Sequence, residues 1–136
     1  MSKTTLGFIF SGMVYLVAGV TLGALFFIFP ETRALRTVHA HLNLVGFVMF
    51  LIFGVAYHIL PRFRGRPLYS ERLAWWQFWL ANIGLAGMVV LLGVGAYRSL
   101  GGLSYLLAAF GVVLAASMYL FIYNMWRTLM PQRVKE

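Results

Sequence analysis

The chain has 136 residues, of which 62% are hydrophobic and only 10% charged, with 11 Lys and Arg against 3 Asp and Glu and no cysteine. So little charge does not cover a soluble domain of this length, and the missing cysteines exclude disulfides, thiolate clusters and cysteine nucleophiles. The net charge of +8 does not point to nucleic acid, because every basic residue lies in a tail or between apolar runs, where cations at a membrane edge belong.

The first apolar run is Thr5–Phe29, too long for a signal-peptide core and without a small-residue cleavage site after it, so it reads as a retained span. Within it, Gly19-Val20-Thr21-Leu22-Gly23 is a GxxxG match, a weakly specific sign of close helix packing. Pro30 marks the connection that follows, with Arg33 and Arg36 in it. The second run, Val38–Leu60, carries His39, His41, Asn43 and His58, with Gly46 and Gly54 eight apart on roughly one face. Pro61 and Pro67 mark the next connection. The third run is Leu73–Tyr97, and after Gly101-Gly102 the fourth is Gly102–Trp126. None of the four contains Asp, Glu, Lys or Arg, and each exceeds the roughly 20 residues that cross a bilayer core. The expected fold is an all-α membrane protein, a single domain over residues 1–136 with four transmembrane helices.

Counting cations orients it. Lys3, Arg62, Arg64, Arg66, Arg72, Arg127, Arg133 and Lys135 share one face, against Arg33, Arg36 and Arg98 on the other. The positive-inside rule then puts both termini in the cytoplasm and the chain in the cell's inner (plasma) membrane. Trp75, Trp76 and Trp79 fall at the cytoplasmic interface, as aromatic belts do.

With no Asp, Glu, Lys or Arg in the spans, the ionisable residues worth weighing are the three histidines, and histidine there is a functional signal and a common metal ligand. At about 100° per residue, His39 and His41 lie about 200° apart on one helix. They cannot grip a single metal ion, which wants i, i+3 or i, i+4 spacing, so each serves a different site. His58 stands about 25 Å further along and reads as an interfacial residue. Met13, Met49, Met88 and Met118 lie at least two turns in from the outer helix ends and do not match the histidines in depth. One chain alone therefore does not complete a six-coordinate haem at this level. The partner is another copy, or the iron stays five-coordinate. Arg33 and Arg36 suit haem propionates or, equally, lipid phosphates. Asn43 reads as an interhelical hydrogen-bonding group, and Gly46 and Gly54 admit either a flat macrocycle or a neighbouring backbone. A zinc or copper site between subunits is the other metal reading.

The run from His39-Ala40-His41-Leu42-Asn43-Leu44-Val45-Gly46-Phe47-Val48-Met49-Phe50, through Phe53-Gly54, to His58-Ile59-Leu60-Pro61-Arg62-Phe63 resembles the tenth helix of the haem-copper oxidase subunit I superfamily. The match is specific over roughly 25 residues. The resemblance implies that His39 faces a high-spin haem and His41 a low-spin haem on opposite sides of the helix. It also implies an architecture, because subunit I is similar to three arcs of four helices. A homotrimer of this chain would recreate that ring, with His41 of one protomer facing His39 of the next; a homodimer is the rival. The family's further copper-site histidines and its membrane-embedded acids have no counterparts, since Glu31, Glu71 and Glu136 lie in loops or tails.

The function expected is that of a membrane protein binding haem b non-covalently, with no cysteine for thioether attachment. Its work would be electron transfer with a redox partner the sequence does not name, or binding of a diatomic gas such as nitric oxide or oxygen. The alternatives are an accessory or assembly subunit of a respiratory oxidase and a small four-helix transporter, although such exporters rely on a membrane carboxylate that is missing here.

Overall fold

In the computed structural model, which describes residues 1–130, Ser2 starts the first helix. Its hydroxyl accepts the Thr5 N–H at 3.2 Å and satisfies one of the orphan donors of a helix start. This helix, α1 (Lys3–Ile28), stops where Pro30 follows, and a 3-10 turn over Pro30–Leu35 reverses the chain. Next, α2 (Arg36–Ala40), a π-helical stretch (His41–Met49) and α3 (Phe50–Phe63) run on as one span of 34 residues from Pro30 to Phe63. The helix passes through Pro61, which the sequence suggested as part of a connection. A proline in the last turn removes only one intrahelical donor, so the helix continues to Phe63. The remaining helices are α4 (Glu71–Gly95), capped by the Ser70 hydroxyl on the Leu73 N–H, and α5 (Leu103–Leu129), reached through a turn with Gly101 at φ 50°.

All four spans are long and apolar enough to cross a membrane, and no strand occurs among the described residues. Four crossings bring Met130 back to the end that carries Ser2, here the N-terminal end; the 3-10 turn lies at the far end. Arg133, Lys135 and Glu136, used in the residue counts above, lie outside the described residues.

Two side-chain hydrogen bonds lie at the start of the π-helical stretch. His41 Nδ1 lies 2.8 Å from the Thr37 carbonyl, and Asn43 Nδ2 donates to the His39 carbonyl at 2.8 Å. The Thr37 carbonyl also accepts the His41 backbone N–H, so it is shared between ring and backbone.

Packing is concentrated in the N-terminal half. Phe8 is fully buried with its ring against Phe50, Phe53, Tyr57 and Phe78 at centroid distances of 5.2–6.1 Å. Phe121 of α5 closes the cluster on Phe53 and Tyr57. Edge-to-face contacts of this kind add to the packing of each ring. Gly46 and Gly54 serve α1: a Cβ at Gly46 would meet Tyr15 at 2.6 Å, and one at Gly54 would meet the Thr5 carbonyl at 3.1 Å. They admit a neighbouring helix, not a macrocycle.

A polar clamp fastens the N-terminal-end loop to α5. Buried Asn124 accepts the Ser70 N–H at 3.1 Å and donates to the Ser70 carbonyl at 2.8 Å. The Thr128 hydroxyl accepts the Tyr69 N–H at 3.0 Å, and the Arg127 guanidinium lies 4.5 Å over the Tyr69 ring. An Asn124→Leu chain is expected to lose about 2 kcal/mol, measured by thermal unfolding in detergent, since the buried Ser70 N–H forfeits its partner and the Ser70 carbonyl keeps only the Ala74 N–H. Unchanged stability would show that the clamp does not hold the loop.

Candidate functional site

The two histidines at the far end are held differently, although each is fixed through the same ring atom. His39 Nδ1 lies 2.8 Å from the Gly19 carbonyl of α1, and His41 Nδ1 lies 2.8 Å from Thr37 O of its own helix. A carbonyl oxygen only accepts, so Nδ1 carries the proton in both rings, and Nε2 of both carries the lone pair. Asn43 Nδ2 stands 3.3 Å from His39 Nδ1, but two donors do not bond each other; the Asn43 amide is committed to the His39 carbonyl. A committed Nδ1–H with an open Nε2 is the arrangement that orients a metal-binding imidazole and raises its basicity.

The environments differ. His39 turns toward α1, into a slot made by the GxxxG glycines. A Cβ at Gly23 would stand 2.7 Å from His39 Cε1, and one at Gly19 would stand 2.5 Å from the Asn43 amide nitrogen. The Phe26 ring, also on α1, lies 5.3 Å from the His39 ring between centroids. GxxxG therefore packs α1 against the second span of the same chain. His41 bonds only to its own helix, and like His39 it is half-buried. On the helical wheel the buried stripe of Val38 and Leu42 runs between the two imidazoles, so they flank it.

Arg33 and Arg36 lie at the same end, both exposed. Arg33 Nε donates to the Phe26 carbonyl at 3.2 Å, which fixes its guanidinium over the end of α1. Arg36 makes no side-chain hydrogen bond among the described residues. His58 is remote from all of these. It lines a cavity at the N-terminal end with Ser2 and Thr5, and its Nε2 accepts an N–H from Arg62. That bond ties His58 to a basic residue at the helix end and fits the interfacial reading. No three His, Cys, Asp or Glu residues come together as a metal site among the described residues. Any centre at His39 or His41 thus takes its remaining ligands from elsewhere.

Sequence reasoning found the histidine pair but not the carbonyls that anchor it. The Gly19 carbonyl leaves no trace in composition; the nearest signal is that GxxxG lies about as far from the far end of its helix as His39 and Asn43 do from theirs.

The family described as Cytochrome C and Quinol oxidase polypeptide I matches residues 3–136. The chain is 29% identical over 118 residues to cytochrome c oxidase subunit 1 of Rhodobacter capsulatus, covering 69% of this chain and 22% of that protein. It is 31% identical over 114 residues to a bacteroid cytochrome c oxidase subunit 1 homolog of Bradyrhizobium diazoefficiens, covering 66% and 21%. A shorter stretch of 46 residues is 44% identical to quinol oxidase subunit 1 of Sulfolobus acidocaldarius, covering 34% of this chain and 9% of that one. No solved structure matches the chain. It spans about a fifth of the length of the first two relatives. Four membrane-length helices, a His-x-His at the head of the second and a match along almost the whole chain agree: this chain belongs to the cytochrome c and quinol oxidase polypeptide I family.

Proposed function

We propose that the chain is a membrane b-type haem protein in which His39 and His41 are the iron ligands and each haem lies between protomers. The observation that carries this reading is the pair of imidazoles with Nδ1 anchored on a backbone carbonyl and Nε2 open, two residues apart on one helix. When bound, haem supplies an iron that passes an electron or takes a diatomic gas such as nitric oxide or oxygen.

The chain's own residues have separable tasks. The Gly19 and Thr37 carbonyls hold the rings in the tautomer that presents Nε2. Arg33 and Arg36 meet the propionate anions at the membrane edge. Phe26, Val38 and Leu42 keep water from the imidazoles. A homotrimer supplies the missing ligand most simply, because His41 of one protomer then meets His39 of the next and the ring closes. With no histidine beyond these three, there is no second cluster for copper, so electron transfer or gas binding is favoured over complete oxygen reduction.

The test is an absorption spectrum of the purified chain, oxidised and reduced, with and without carbon monoxide. A Soret band is expected, lost in the His39→Ala, His41→Ala double variant. Protein that stays colourless after haem supplementation overturns the proposal. A carbon monoxide shift marks an open iron position, and cross-linking in detergent decides between trimer and dimer.

One observation favours a second reading. His39 is wedged against Gly23 and Phe26 and bonded to Gly19, as a purely structural histidine would be. In an accessory subunit of a respiratory oxidase both imidazoles would serve packing alone. Co-purification with oxidase subunits without haem of its own is the result that reading requires.

A further inference from the structure

Tyr57, Gln77 and Asn124 lie five or six residues in from the N-terminal-end tips of three helices, Phe63, Glu71 and Leu129, and so form one polar layer at one depth. All three are more than nine-tenths buried. Asn124 is satisfied by the backbone of Ser70. The other two are not: the Tyr57 hydroxyl stands near the Asn124 amide without making a well-formed hydrogen bond, and both the nitrogen and the oxygen of the Gln77 amide have no hydrogen-bond partner among the described residues. Buried polar groups are normally paired, and three orphaned atoms in one layer mark a place where something else pairs them. A leucine at position 77 would fill similar space without that penalty.

Beside the layer is the means of supply. A cavity of about 240 Å³ opens at the N-terminal end, lined by Ser2, Thr5, His58, Arg62 and Glu71, and Tyr57 is part of its wall. A buried water needs room for itself and two to four polar partners. The orphaned groups form a neutral set, a phenol O–H, an amide N–H₂ and an amide carbonyl, which both donates and accepts. An ion at this depth would find no opposing charge in the layer. A small neutral molecule that donates and accepts is what the set takes.

We propose that Tyr57 and Gln77 hold buried water drawn from the N-terminal-end cavity, a hydration site inside the bundle beside the dry aromatic cluster of Phe8, Phe50 and Phe53. The site is independent of the haem reading, because it lies at the opposite end from His39 and His41.

The experiment is radiolytic hydroxyl-radical labelling of the full chain in lipid nanodiscs, read by mass spectrometry. Radicals generated from a bound water modify the side chain beside it. Tyr57 is expected to be labelled at least about fivefold faster than Phe53, also a buried ring, one turn away on the same helix. In a Gln77→Met chain the Tyr57 rate is expected to fall about twofold or more, because the water loses partners. Tyr57 and Phe53 labelled at equal rates in the parent chain would overturn the site, whether or not the variant folds. An unchanged Tyr57 rate in a folded Gln77→Met chain would overturn the shared site as well.

Discussion

A Gly19→Ala chain is expected to be about 2–4 kcal/mol less stable than the parent, from overpacking together with a lost hydrogen bond. The added methyl would stand 2.5–2.8 Å from three atoms of the Asn43 amide, so the amide has to move. It is not free to do so, because its nitrogen is bonded to the His39 carbonyl at 2.8 Å. Displacement of Asn43 breaks that bond and pushes α1 from the second span, which also lengthens the His39 contact with the Gly19 carbonyl. Two measurements check this outcome. Thermal unfolding in detergent reports the stability loss, and a haem-loaded sample reports a change in the spectrum, since the ring that presents Nε2 has lost its anchor. A Gly19→Ala chain that melts within about 0.5 kcal/mol of the parent, with an unaltered spectrum, would show that α1 does not approach the second span so closely.

Phe8→Ala is the second large effect, about 3 kcal/mol or more. In lipid, an apolar side chain gains little from leaving water, so the loss comes from the cavity and the forfeited contacts. Phe8 touches four rings on two other spans and is completely buried. Its removal opens a void where α1, α3 and α4 meet. Phe27, of the same type and on the same helix but 85% exposed, is the control, with an expected effect within about 0.5 kcal/mol. Equal melting temperatures for the two variants would sink the assignment of the core.

Hydropathy made the four spans plain, because a bilayer demands long apolar runs and this chain keeps every Asp, Glu, Lys and Arg out of the stretches Thr5–Phe29, Val38–Leu60, Leu73–Tyr97 and Gly102–Trp126. The histidine pair was equally plain, since ionisable residues are scarce in such spans. Other features had no such signal. The π-helical stretch is one, since an apolar pattern does not report helix register. The anchor of His39 on Gly19 joins residues 20 apart across a helix contact, which spacing along one helix does not reveal. Gln77 reads in sequence as one polar residue among tryptophans near a membrane edge; only the three-dimensional packing shows its amide fully enclosed and unpaired.

The aromatic cluster and the clamp on Ser70 lie at one end of the bundle, and the His39–His41 pair lies at the other. Val38, Leu42 and Leu91, buried in the far half, stand outside the main core. Under mutation, then, the two halves fail in opposite ways. The ring cluster around Phe8 tolerates loss of volume least, because each ring removed leaves a void among its neighbours. The slot beside His39 tolerates gain of volume least, because Gly19 and Gly23 leave no room for even a methyl group.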